Sequence, residues 1–121
     1  MNDEPATYVC VVDGRMRGPV RVATTRAQRR RGLLGSAVVA EPMWFPQTRA
    51  IHTFAMSVPI DVVYVDRGGV VLSVVPMVPW RIGRPRLRAR AVIEFALGGA
   101  RSFGVVRGSR VEYTGAVPEV R

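Results

Sequence analysis

Apolar residues in this 121-residue chain come in short stretches, alternating or continuous, broken by glycine, proline and aspartate. That is the pattern of strands joined by tight turns. "TYVCVV" predicts a strand, Asp13-Gly14 a turn, and "GPVRVA" a return strand begun through Pro19. "MWF", between Pro42 and Pro46, predicts a short strand or buried bend. "IDVVYV" and "VVLSVV" flank "DRGG", a turn rich in residues that tolerate positive φ. Both runs are β-branched and apolar on either face, so they are expected to be the two central strands, buried front and back. "RLRARAVIEFAL" alternates, with Leu87, Ala89, Ala91, Ile93 and Phe95 on one face and Arg86, Arg88, Arg90, Val92 and Glu94 on the other. This strand is expected to turn a row of arginines to water. "SRVEY" predicts the last strand, before a tail from Thr114.

Helical signals are fewer. In "TTRAQRRRGLLG" the residues Thr25 and Gln28 have the spacing of a capping box, and Gly35 can close the C-terminal end. Ala27, Leu33 and Leu34 supply the apolar side, and Arg26, Arg29, Arg30 and Arg31 are read as solvated. "GGARSFG" predicts a glycine-bounded helical turn. "IHTFAM", if extended, places His52, Phe54 and Met56 on one side and Ile51, Thr53 and Ala55 on the other. "PMVPWRIGRPRL", with three prolines, reads as a long loop carrying Trp80, Arg81, Arg84 and Arg86. The sum is a mainly β (β-rich α+β) fold of six to eight short strands with one or two short helices. Closure into a small barrel or a sandwich would hide the edges of such a sheet.

Length and composition narrow this further. The chain is the size of one domain, 1–121, with 1–5 and 115–121 expected to be flexible. No apolar stretch approaches the roughly 20 residues of a membrane span, and the first residues are acidic where a secretory signal would be basic. A cytoplasmic monomer is the expectation. Cys10 is the only cysteine, which leaves no intrachain disulfide, and its place in "YVCVV" reads as a core position. All 18 basic residues are arginine against 9 acids, a net charge of +9 that draws phosphate, nucleic acid or an acidic partner.

With these elements placed, "RRRGLLG", "HTFAMSVPIDVVYVDRGGVVLSVV" and "RAVIEFALGGARSFGVVRGSRVEY" resemble, in the same order, the domain of unknown function 192 family. The resemblance spans about residues 20–114 and implies a compact β-rich barrel or sandwich with short helices; it brings no established activity. Pro59 and Asp61 match the family's Pro-hydrophobic-Asp step, Gly32 and Leu33 its Gly-Leu step, and Glu94 the acid of its "LE" strand. Many members carry an aromatic-Met-Lys-Asn-Thr run where this chain has His52, Thr53, Phe54, Ala55 and Met56. A mechanism needing that lysine and asparagine would lack them here.

His52, Asp61 and Glu94 are the convergent polar set that the sequence offers. One imidazole and two carboxylates have the composition of an iron-type facial triad, but no spacing comparable to H-E-x-x-H supports it, so no metal site and no cofactor are assigned. Ser57, Ser73 and Cys10 lie in no nucleophile elbow, so no catalytic residue is assigned. Asp61 has a structural reading as well, accepting backbone N–H groups or holding an arginine, and Glu94 one with Arg88, Arg90 or Arg107 as partners. The function expected is a small non-enzymatic module that takes a small ligand or a protein segment in a cleft formed by His52, Phe54, Met56, Asp61, Trp80, Arg81 and Glu94. The alternatives are nucleic-acid binding through Arg86, Arg88 and Arg90, and an enzyme using His52 with Asp61 or Glu94.

Overall fold

The computed structural model describes residues 4–31, 41–49, 58–79 and 86–116. In chain order these form β1 (Ala6–Val12), β2 (Arg15–Val22), α1 (Arg26–Arg31), β3 (Met43–Pro46), β4 (Ile60–Asp66), β5 (Val71–Met77), β6 (Ala89–Ala96), α2 (Gly99–Ser102) and β7 (Val111–Ala116). The seven strands make one sheet in the order β5-β4-β6-β3-β2-β1-β7. Every neighbouring pair is antiparallel except β2 and β3, which run parallel over only two residue pairs, Arg21↔Met43 and Val22↔Trp44.

Local chemistry explains the turns. Asp66 Oδ1 accepts the N–H groups of Gly68 and Val70, both at 2.9 Å, and Gly69 adopts φ +84°, so the "DRGG" turn folds β5 back on β4. Asp13 and Gly14, both at positive φ, do the same between β1 and β2. The capping box of α1 is formed in both directions: Gln28 N–H donates to Thr25 Oγ1 (3.0 Å), and Thr25 N–H to Gln28 Oε1 (3.2 Å). Gln28 is buried for this purpose, whereas Ala27, expected on the apolar side, is exposed. The Gly32–Gly35 end of that helix lies outside the described residues.

The sheet has two apolar faces. One, fed by all seven strands, collects Val12, Val20, Val22, Trp44, Val63, Ile93 and Phe95 with Ala100 and Val105; the sheet curls around it. The other collects Met43, Phe45, Ile60, Val62, Tyr64 and Val92 on the outer side of β3, β4, β5 and β6. β4 is therefore buried front and back, as its sequence predicts. β5 is not: it stands at the end of the strand order, with Leu72–Val75 half-buried and Pro76 exposed. Proline has no N–H to donate to a ladder, and an edge position, where that side meets no partner strand, is where a strand tolerates it.

Closure is incomplete. The two ends of the order, β5 and β7, approach through one bridge, Val70↔Arg110, flanked by bonds from Val71 N–H to Ser109 C=O (2.8 Å) and from Val111 N–H to Gly69 C=O (2.7 Å). A mainly β sheet with two short helices is established; a closed barrel is not. The two faces of β6 alternate as expected from Ala91 to Phe95, but Val92 and Glu94, on the face shared with the arginines, are both buried. A bulge opposite Val65 and Asp66 breaks the period at Arg90, and apolar groups cover both sides of the strand beyond it. β7 continues from Tyr113 through Thr114, Gly115 and Ala116, where a tail was expected from Thr114.

Candidate functional site

Asp61 and Glu94 were expected to converge, and register separates them. Asp61 pairs with Phe95, and Glu94 with Val62 on one side and Met43 on the other. Successive residues of a strand face opposite sides, so Asp61 points to the inner face with Phe95 while Glu94 points to the outer face with Val62.

Asp61 is 7% exposed, and its Oδ2 accepts the N–H of Gly98 (2.8 Å) and of Ala100 (3.4 Å). Gly98 is the N-cap of α2, lies at φ 84° and has no capping side chain of its own. A carboxylate from β4 therefore supplies the acceptor that the helix end lacks. It ties the β6–α2 corner to the centre of the sheet, where Phe103 packs edge-on against Phe95 at 5.2 Å.

Glu94 has the opposite surroundings. It is 2% exposed among Met43, Val62 and Val92, and its Oε1 has no hydrogen-bond partner among the described residues. Burial pushes its pKa up to about 8, so the carboxyl is largely protonated at neutral pH. Two further buried polar atoms lack partners among the described residues: Tyr64 Oη and Ser73 Oγ. Tyr64 and Ser73 face each other across the β4–β5 register, and Tyr64 pairs with Val92, two residues from Glu94, on β6. The Arg86 guanidinium stands 4.2 Å from the centre of the Tyr64 ring. Burial raises the Tyr64 pKa, Arg86 pulls it back and Glu94 adds to the rise. Three adjacent strands thus present three unused hydroxyl or carboxyl groups in an otherwise apolar patch. Native interiors rarely leave such groups unsatisfied, because each costs about 1–3 kcal/mol.

Of the residues expected to line a site, His52, Phe54, Met56, Trp80 and Arg81 lie outside the described residues. Sequence reasoning missed Tyr64 as a site residue and considered Ser73 only as a nucleophile. Their signal was present: one hydroxyl is embedded in each valine-rich arm of a single hairpin. Among the described residues, no three of His, Cys, Asp and Glu gather as a metal set. The expected arginine row is uneven. Arg88 and Arg90 are exposed, but Arg90 Nη1 bonds the C=O groups of Leu87 (3.1 Å) and Ala89 (3.0 Å), and Arg86 is half-buried against Tyr64.

The described residues line clefts at two places on the surface. One, of about 590 Å³, lies at the edge of β5 and is lined by Asp61, Ser73, Val74, Ala100, Val105, Val106 and two arginines, Arg101 and Arg107. A second, of about 460 Å³, is lined by Gln47, Arg49 and Arg90. No described helix is long and apolar enough to cross a membrane.

The family model described as "Uncharacterized ACR, COG1430" (DUF192) matches residues 9–113. The chain belongs to the domain of unknown function 192 family. A UPF0127 protein of Pyrococcus horikoshii is 32% identical over 101 residues, 79% of this chain and 88% of the relative. A UPF0127 protein of Thermococcus kodakarensis is 32% identical over 103 residues, 80% of this chain and 66% of the relative. Two crystal structures share the fold of this domain of unknown function 192 protein. A Sinorhizobium meliloti protein described as a candidate transcription regulator superposes with a TM-score of 0.79 at 21% identity, covering 93% of this chain and 98% of that one. A Novosphingobium aromaticivorans protein of unknown function gives 0.66 at 23%, covering 89% and 83%.

Proposed function

We propose that this domain of unknown function 192 protein is a small binding module that holds a compact polar ligand on the outer face of β5, β4 and β6. The observation that carries this reading is the trio of buried, unpartnered atoms, Tyr64 Oη, Ser73 Oγ and Glu94 Oε1. A neutral carboxyl and two hydroxyls each both donate and accept. They suit an uncharged ligand rich in hydrogen-bonding groups, such as a carboxamide or a polyol, with Arg86 beside the Tyr64 ring. Asp61 is engaged with the backbone of α2 and has no part in the site.

The test reads stability and binding together. Without ligand, Tyr64→Phe and Ser73→Ala are expected to raise stability, because each removes a polar atom that has no partner. The same variants are expected to lose the thermal shift produced by any carboxamide or polyol that stabilises the wild type, while Asp61→Asn keeps it. If both hydroxyl deletions destabilise the free protein by more than the lost packing, those groups are satisfied and the reading fails.

A second reading, nucleic-acid binding, draws on the exposure of Arg88 and Arg90, on the cleft that Arg90 shares with Arg49, and on the net charge of +9. The transcription-regulator description of the Sinorhizobium meliloti protein points the same way for that protein. Filter binding at low and moderate salt, with Arg88→Ala and Arg90→Ala, separates the two readings.

A further inference from the structure

The unfinished seam between β5 and β7 leaves a row of main-chain groups beside a cleft. Pro76 has no N–H, so its pair with Asp61 is one that exchanges no hydrogen bonds with β4. The register is regular from Tyr64↔Ser73 to Ile60↔Met77, so Val74 has the same orientation as Pro76. The N–H and C=O of Val74 and the C=O of Pro76 therefore point away from β4, on the side where the sheet order ends. Further along this edge the positions are taken: Val71 N–H donates to Ser109 C=O (2.8 Å), and Gly108 N–H to Val71 C=O (2.9 Å). Among the described residues this length has no strand beside it, and at Ser73 and Val74 it borders the cleft of about 590 Å³, which Ala100, Val105 and Val106 also line. Val106 is 59% exposed. Arg101 and Arg107 line the same cleft and are exposed, while the charge of Asp61 is engaged by two N–H groups of the α2 corner.

We infer that this cleft captures an extended acidic peptide segment of a partner protein, which adds as a short strand to the edge of β5. The segment's main chain pairs with Val74 and Pro76. Its apolar side chains rest on Val74, Val105 and Val106, and its carboxylates meet Arg101 and Arg107. Strand addition gives affinity through main-chain bonds and selectivity through alternate side chains. Pro76 limits the reaction to one short segment, since a longer ladder would require a donor it does not have. Tyr64 and Glu94 of the proposed ligand site do not line this cleft, whereas Ser73 does.

The test uses the full chain and a fluorescent peptide alternating valine and glutamate, with a valine–lysine peptide as control. Binding is expected for the glutamate peptide alone, and Val74 amide exchange is expected to slow when it binds. The double variant Arg101→Glu, Arg107→Glu, changing only exposed side chains, is expected to weaken binding by roughly tenfold or more. Binding that survives this double variant would place the peptide elsewhere on the basic surface and overturn the inference. So would an unchanged Val74 amide, or no binding by the glutamate peptide at all.

Discussion

Asp61 and Glu94 stand on neighbouring strands, one register step apart, and face opposite sides of the sheet. One carboxylate accepts two backbone N–H groups at its Oδ2, and the other acid is buried with an oxygen that has no partner among the described residues. The two should therefore respond to substitution in opposite ways. Asp61→Ala removes the acceptor for Gly98 and Ala100 and is expected to cost about 1–3 kcal/mol in denaturant unfolding. Asp61→Asn, which keeps one acceptor oxygen, should cost less.

Glu94 makes stability depend on pH. Its ordinary value is 4.5 and its folded value about 8, so between these limits the folded chain holds a proton that the unfolded chain has released. Unfolding then releases a proton, and stability falls as pH rises through this window, levelling off above about 8. Glu94→Gln should flatten the dependence and exceed the wild type on the alkaline side by on the order of a few kcal/mol. Chemical denaturation at a series of pH values gives the answer; a wild-type stability that rises through the same window would contradict it.

The capping box offers an independent check on the helix. Thr25→Ala and Gln28→Ala each break one direction of the reciprocal pair and should each cost about 1 kcal/mol. Gln28 Oε1 also accepts Thr24 N–H at 2.9 Å, so its replacement should be the more damaging. The double variant should lose less than the sum, because the two residues act as one unit.

Cys10 is wholly buried, and burial lifts its thiol to about 11. In the folded protein it is expected to resist thiol reagents, with labelling at neutral pH no faster than unfolding exposes it. Quick labelling of native protein would show that the β1–β2 face opens on its own.

Gly69 is the tightest point of the seam. It sits at φ +84°, and a Cβ there would lie 2.8 Å from the carbonyl oxygen of Val111. Gly69→Ala must therefore push β7 off the hairpin turn, which should cost at least about 1–3 kcal/mol. Gly14→Ala, also at positive φ but with nothing near its Cβ, isolates the backbone strain from the clash.

The elements themselves were legible because local chemistry decides them. The aspartate–glycine turns, the capping box and the valine runs each act within a few residues. What sequence could not supply was neighbour choice. β5 carries the same apolar pattern as β4, yet one is central and the other ends the sheet; Pro76 was the single local mark of that difference. Alternation puts Glu94 on the face of the arginines, and only the covering of both faces of β6 makes it a buried acid. The grouping of Tyr64, Ser73 and Glu94 needs the register of three strands, two of them far apart in the chain.

The parallel contact of β2 with β3 has a mechanical consequence. Strands β1, β2 and β7 form one antiparallel block and β3 to β6 another, and the ladder linking them is two residues long. The opposite joint is the Val70↔Arg110 bridge with the few main-chain bonds that flank it. Load applied across the molecule therefore meets its weakest resistance along these two lines. Under tension or native-state exchange, the chain should part as two cooperative halves, with the Ile60–Asp66 strand surviving longest.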